Sequence, residues 1–415
     1  RSPFGDIIGA GADQDVAVHR RRQVYAEPRI LRARDRIDKG LQRAVEALVK
    51  HVIFAAAGPY FKALAIITLC HAGHFADFAA GVIWLMLCFA MTGLSYLARR
   101  TKRLHHAQLR RWTDRAGSLW LLFVLYAFFT LIALETAGRF LGGGLPAWAE
   151  LAASFALSLC LIALGVKQAH TIQTTKITVE TEKLPPGEER LRIVQLTDLH
   201  LGPYTGVKLL AQILRRVREA DPDMVLVTGD VADGSLEGRG REIAMFRRIR
   251  PKYGVYAVTG NHDYYDGIDK ALEFMRRAGM RVLRGESVCA GGIVVVGVDD
   301  RDHLCEDKWG LSRSETVIVN TKSRFRDKFI LLLRHRPVVE IGTQGLFDLQ
   351  LSGHTHGGQL FPIISSRLFF RGHSRGFKKL KNGSMLYTSN GAGYVGPPVR
   401  LMAPPEIVVI DLVRK

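Results

Sequence analysis

Closely spaced cysteines are missing from this chain. Its five cysteines, Cys70, Cys88, Cys160, Cys289 and Cys305, are scattered, and none stands in a CxxC spacing. That excludes a disulfide-stapled scaffold and a thiolate zinc finger, and it favours a reducing compartment. Acidic residues are in short supply too: 39 Asp and Glu stand against 58 Lys and Arg, a formal net charge of +19. A balance this basic points to nucleic acid or to an anionic membrane surface. No nucleic-acid-binding motif is present and the basic residues crowd beside apolar stretches, so a phospholipid membrane is the expected partner and nucleic acid is not. An internal repeat is absent. So is a secretory signal, because no apolar stretch closely follows Arg20–Arg22. The chain starts at Arg1 rather than methionine, and its natural start is expected upstream.

Long apolar runs, by contrast, are plentiful in the first half. Four stretches read as membrane spans: His51–Leu69, Phe78–Ala98, Ser118–Leu141 and Trp148–Val166. Each is close to the about 20 residues that cross a bilayer core. The loop RRTKRLHHAQLRRWTDR and the arginines of residues 20–43 place positive charge on one side, while CHAGHFAD and GRFLGGGLPAWAE hold a single arginine. The positive-inside rule then puts the basic loops and both ends of the chain in the cytoplasm. Ile30, Ile37, Leu41, Val45 and Leu48 fall at helical spacing. They make either a basic amphipathic helix lying on lipid or a solvated lead into the first span. His71, His74 and Asp77 read as an interfacial loop, and Glu135 sits near the end of the third span.

From Leu191 onward the pattern changes. Short Val/Ile/Leu runs alternate with amphipathic segments, as in strands buried on both faces between layers of helix. The expected organisation is a basic cytoplasmic segment (1–50), a transmembrane region of about four helices (51–168), a linker with an edge strand (169–190) and an α/β domain (191–415). Almost every apolar run ends in metal-type residues: Asp198 and His200; Asp230 and Asp233; Asn261, His262 and Asp263; His335; His354 and His356. In α/β sheets ligands gather at the carboxyl ends of the strands, so these clusters are expected in one crevice. Carboxylate, imidazole and amide oxygen suit hard-to-borderline divalent ions such as Mn²⁺, Fe²⁺ or Zn²⁺. Two ions about 3.5–4 Å apart can clamp a phosphate in line with an attacking oxygen.

The motifs TDLH (197–200), GDVAD (229–233), GNHD (260–263), LLRHRP (332–337) and GHTH (353–356), in this order, resemble the calcineurin-like metallophosphoesterase superfamily. The resemblance implies an α/β/β/α sandwich behind the four-helix transmembrane region, and a metallophosphoesterase domain over 191–415. It implies two divalent ions, Mn²⁺ foremost. Asp198, His200 and His356 would hold the first, Asn261, His335 and His354 the second, and Asp230 would bridge them. His262 would be the general acid, oriented by Asp233, and a solvent-derived hydroxide the nucleophile. Asp263 is expected to cap its turn, and His303 is not expected to bind metal. Arg334, Arg336 and Asn390 are candidate substrate contacts. Phosphoprotein phosphatases of the superfamily carry arginine after the second Asp of the GD motif; here Gly234 follows Asp233, which argues against phosphoprotein substrates.

The tail from GHTHGGQ to PPEI resembles membrane-associated bacterial phosphodiesterases, including enzymes that split UDP-2,3-diacylglucosamine in lipid A synthesis. Within it, Leu360–Lys381 mixes apolar and basic residues, which suits either a lid over acyl chains or a hairpin packed on its own domain. Gly297–Lys308 is a second candidate wall. The expectation is a multi-pass protein of the bacterial inner membrane with its catalytic domain in the cytoplasm, cleaving a phosphodiester or pyrophosphate of a nucleotide-sugar-lipid or another phosphate ester. Its rivals are a lipid phosphatase, a soluble-nucleotide phosphodiesterase, and a membrane sensor with a phosphoesterase output domain.

Overall fold

The structure, a computed structural model, describes residues 107–202, 204–300, 312–360 and 373–415, all within one compact unit. The basic N-terminal segment, the expected spans His51–Leu69 and Phe78–Ala98, residues 301–308 of the candidate wall and 361–372 of the candidate lid lie outside these residues.

Two apolar helices open the described chain: α1 (Ala107–Phe140) and α2 (Ala147–Ala169). Both are long and apolar enough to cross a membrane, over Arg115–Phe140 and Ala147–Ala169. The sequence reading starts the first of these at Ser118. The helix begins three turns earlier and takes in part of the basic loop, because Gln, Leu, Arg and Ala are good helix formers that outweigh Gly117 and no Pro stops them there. A turn through Gly142 and Pro146 brings α2 back along α1. Small polar residues fill the seam. Ser154 Oγ donates to Ala127 O at 2.7 Å, Thr130 Oγ1 lies 2.9 Å from Ser154 Oγ, and Ser158 Oγ donates to Ser154 O at 2.7 Å. In apolar surroundings such bonds and close backbone approach replace the hydrophobic drive for helix pairing.

Among the described residues twelve strands follow, in two six-stranded sheets. The first runs β1 (Gln173–Thr181), β12 (Glu406–Arg414), β2 (Arg190–Leu196), β3 (Met224–Thr228), β4 (Val255–Val258), β5 (Arg281–Val282). The second runs β10 (Gly376–Lys379), β11 (Met385–Thr388), β9 (Leu349–Ser352), β8 (Ile330–Leu333), β7 (Ile293–Gly297), β6 (Glu286–Ala290). β2, β3 and β4 are mutually parallel, as are β7, β8 and β9.

Alternation along each strand splits its side chains between two cores. Ile193, Leu226, Leu331 and Leu351 meet between the sheets. Val194, Val225 and Val227 face outward onto α3 (Val207–Glu219), α4 (Gly240–Phe246) and α5 (Ile268–Arg277). Val294, Ile330 and Leu332 face outward with Ile318 of α6 (Arg313–Arg324). The layers are therefore helix, sheet, sheet, helix. Because β2, β3, β4, β8 and β9 all present their carboxyl ends to one edge of the sandwich, five loops converge there.

Candidate metal centre

The converging loops are locked to one another by backbone bonds. Asp198 N–H donates to Gly229 O at 3.1 Å, His200 N–H to Asp230 O at 3.0 Å, and Gly353 N–H to His335 O at 2.9 Å. His354 N–H donates to both oxygens of Asp198, at 3.0 and 3.1 Å, which stitches the second sheet to the first. At Gly353 a Cβ would stand 2.2 Å from Asp198 Oδ2 and from Thr197 Oγ1, so only glycine lets the strand come this near.

Strain marks the same place. Of the eight non-glycine residues with positive φ among the described residues, five are Asp198, His200, Asp230, His354 and His356. Each such conformation costs about 1–3 kcal/mol and persists only where the surroundings over-determine it. The fold accepts it here because it turns these five side chains inward together.

Two triads result: Asp198 with His200 and His356, and Asp230 with His335 and His354. A third group joins His200 to Asp233 and His262 at the edge. His200 Nε2 and His356 Nε2 face each other at 3.0 Å, and His354 Nδ1 faces His335 Nε2 at 3.3 Å. His335 Nδ1 points to Thr228 O at 2.9 Å, which directs its Nε2 to Asp230 Oδ2 at 3.1 Å. The Asn261 amide nitrogen donates to Tyr265 OH, and its Oδ1 is buried with no hydrogen-bond partner. Asn261 Oδ1, paired imidazole nitrogens and two buried carboxylates form a donor set suited to divalent cations.

The electrostatics agree. Burial pushes the Asp198 carboxyl up, but His356, His200 and His335 pull harder and hold it well below the usual carboxylate range. Asp230 is likewise held low against burial, by His335, His200 and His262. Burial opposes a charge on His335, yet Asp230 raises its pKa to about 10. Burial and the neighbouring His335 charge lower His354 to about 3. Two buried anions thus demand positive charge in their midst, and His335 beside Asp230 supplies part of it. The residues fit a pair of divalent ions.

The His262–Asp233 couple sits at the open edge, with side chains 18% and 26% exposed. His262 Nδ1 lies 3.1 Å from Asp233 Oδ1, and its backbone N–H donates to Asp230 Oδ1 at 2.8 Å. Burial disfavours its charge, but Asp233 and Asp230 hold its pKa above the ordinary value. Asp263 caps the turn, accepting from Gly260, Asp230 and Ala232 N–H at 2.8, 3.1 and 2.9 Å.

Of the candidate substrate contacts, Arg336 keeps a side chain 26% exposed beside Asp300, at 2.9 Å. Arg334 is not brought to the cluster as a substrate contact: it is buried and pairs with Glu340 at 2.5 Å, because a buried charge must find a partner. Asn390 packs against Gly357 and spends its amide N–H on Pro404 O. Two features escape the sequence reading. Tyr264 and Arg284 both donate to Asp299, pinning the turn that carries His262. Arg400 is fully buried and donates to Gly393, Asn390 and Ala403 carbonyls at 2.9, 2.9 and 3.0 Å. Its Nη2 also lies 3.0 Å from His356 Nδ1. A guanidinium only donates, whereas a ring that ligates through Nε2 carries its proton on Nδ1. With Nε2 on a metal that one contact would open, and the carbonyl bonds would still hold Arg400.

Residues 191–358, which carry both triads, match the family described as calcineurin-like phosphoesterase. An uncharacterized metallophosphoesterase of Aquifex aeolicus is 36% identical over 262 residues, covering 62% of this chain and 98% of its own. One from Campylobacter jejuni is 33% identical over 263 residues, 62% of this chain and 68% of its own. A transmembrane protein with metallophosphoesterase domain from Danio rerio is 30% identical over 260 residues, 60% of this chain and 59% of its own length. With a relative matched over almost its whole length and the donor set in place, the chain belongs to the calcineurin-like metallophosphoesterases and is a metal-dependent phosphoester hydrolase.

Proposed function

We propose that the protein hydrolyses a phosphodiester or pyrophosphate bond of an amphiphilic substrate at a membrane surface. The observation that carries this reading is the pair of triads, with Asp230 near both, opening beside His262 and Asp233. Asp198, His200 and His356 would hold one ion, Asn261, His335 and His354 the other, with Asp230 shared. Mn²⁺ is the foremost choice, and Fe²⁺ or Zn²⁺ suit the same donors. Two such ions supply Lewis acidity, a lowered pKa for water, and neutralisation of phosphate charge. His262 gives its Nδ1–H to Asp233 and thereby keeps Nε2 to protonate the leaving oxygen. The raised pKa of His262 keeps more of it in the acid form. The Asp263 cap and the Tyr264–Asp299 bond fix the turn, so the proton is delivered from a defined position.

Membrane presentation is supported by α1 and α2, which are span-length and expose Phe129, Leu157, Leu159 and Leu164. Leu360, where the apolar and basic stretch begins, packs on this helix pair with Leu401 and Val399. Within this class UDP-2,3-diacylglucosamine is the sharpest substrate. The matching localisation is a multi-pass protein of a bacterial inner membrane with the site on the cytoplasmic face.

Purified protein with Mn²⁺ would be assayed on bis-p-nitrophenyl phosphate, p-nitrophenyl phosphate and UDP-2,3-diacylglucosamine. Release of UMP, lost in Asp230→Ala and cut about 10²–10⁴-fold in kcat by His262→Ala, is the expected result. Diester cleavage without UMP would remove the diacyl-sugar. Cleavage of the monoester alone would replace the reading by a phosphatase.

A further inference from the structure

The apolar helix pair touches the metal centre's own frame. Arg400, fully buried, donates to the carbonyls of Asn390, Gly391, Gly393, Ala403 and, at 3.4 Å, His356. The loop it gathers is the one that lies on the first triad. Ala392 N–H donates to Thr197 O at 3.0 Å and Gly393 N–H to Asp198 O at 2.9 Å. Arg400 therefore ties together the backbone behind Asp198 and the backbone of His356, two candidate ligands of the same ion.

The backbone of Arg400 is seated on α2. Its N–H donates to Gly165 O at 3.0 Å. A Cβ on Gly165 would stand 2.5 Å from Val399 Cγ1, so the helix and the 399–400 segment meet at a distance only glycine permits. Val399 is fully buried among Leu122 and Tyr126 of α1 and Leu161, Ile162 and Val166 of α2. A second strut reaches the loop after His200: Ser118 Oγ of α1 lies 3.0 Å from Tyr204 OH, and Tyr394 OH donates to Tyr204 O at 3.2 Å. A helix pair serving only as a tether would need no contact within a few residues of the ligands.

We propose that Arg400 is a positioning residue for the ion held by Asp198, His200 and His356, and that the α1–α2 pair, through Gly165 and Val399, is the seat that holds Arg400 in place. This rests on the metal-centre reading above. Pushing Val399 off α2, or removing the guanidinium fork, loosens the backbone under two ligands of one ion, while Asn261 and His335 stand on other loops that Arg400 does not bond. The two ions should then part company in affinity.

The experiment is Mn²⁺ binding to the full-length protein in detergent, by calorimetry and by the electron paramagnetic resonance of free and bound Mn²⁺. The variants are Gly165→Leu, Val399→Ala, Arg400→Met and Arg400→Lys, with exposed Leu159→Ile on α2 as the control. One of the two binding steps is expected to weaken about 10- to 100-fold in Gly165→Leu and Arg400→Met, the range typical of groups that orient metal ligands. The other step should stay put, the coupled two-ion spectrum should fade, and Arg400→Lys should recover part of the loss. Val399→Ala removes the contact without crowding and serves where Gly165→Leu does not fold. Unaltered binding of both ions in folded Val399→Ala and Arg400→Met would overturn the inference alone. A wild-type protein that takes up no Mn²⁺ would overturn the metal reading and the inference with it.

Discussion

At the scale of single residues, the site is a set of positions where backbone comfort is given up to bring donors together. Gly353 shows how tight that packing is. Its missing Cβ leaves room for Asp198 Oδ2 and Thr197 Oγ1, each within 2.2 Å of where a methyl would go. Gly353→Ala must displace the Asp198 carboxylate, Thr197 or the backbone of a central strand, and overpacking of this kind costs about 1–3 kcal/mol. The expected outcome is a lower melting temperature together with loss of Mn²⁺-dependent hydrolysis. Unchanged melting and activity would mean the strand end does not approach Asp198 this closely. That the residues of the two triads come together was legible in the sequence because each closely follows an apolar run, and runs of that kind are strands whose carboxyl ends meet. Arg334 and Arg336 were not separable, since flanking His335 says nothing about which one turns inward to Glu340. Arg400 was invisible for a related reason. An arginine between prolines reads as surface, and only the packed loops show the five carbonyls around it.

At the scale of elements, local chemistry decides more than the site requires. Helix α6 begins with a full capping box: Ser312 Oγ accepts from Glu315 N–H at 3.2 Å, and Glu315 Oε2 accepts from Ser312 N–H at 2.8 Å. Ser312→Ala is expected to destabilise the sandwich by about 1 kcal/mol, the usual worth of such a cap. In a domain this size that lowers the melting temperature by about 2–4 °C, with kcat unchanged because α6 lies on the outer face of the second sheet. A loss of activity without a loss of stability would show that α6 communicates with the centre. The buried strands were readable from their Val/Ile/Leu runs, but the short outer strands β5, β6 and β10 were not, and neither was the strand order. β1 pairs in parallel with β12, more than two hundred residues away, from Gln173 with Glu406 to Thr181 with Arg414. Nothing local specifies such a partner. The early start of α1 was hidden because a basic stretch in sequence looks like a loop, while Arg and Gln are at home in a helix.

For the whole molecule, the buried carboxylates set a trade between stability and chemistry. Asp198 and Asp230 are both almost fully buried, and His335, which pairs with Asp230, answers part of their charge. Divalent ions bound there stabilise the folded chain by mass action, by about 2.7 kcal/mol when free Mn²⁺ reaches 100 times its Kd. Chelation should therefore lower the melting temperature of the wild type, and Mn²⁺ should restore it. In Asp230→Asn the buried anion of the second triad, 3.7 Å from His200 of the first, is gone, and His335 no longer needs to hold a proton beside it. That variant should melt at nearly the same temperature with Mn²⁺ and with chelator, and without metal it should be no more stable than the wild type, because the buried pair of Asp230 with His335 has been broken. Differential scanning calorimetry on the two proteins, each with and without Mn²⁺, reads all four values. If Asp230→Asn kept the wild-type gain from Mn²⁺, the ions would be held without Asp230 and the two triads would be separate sites rather than one centre.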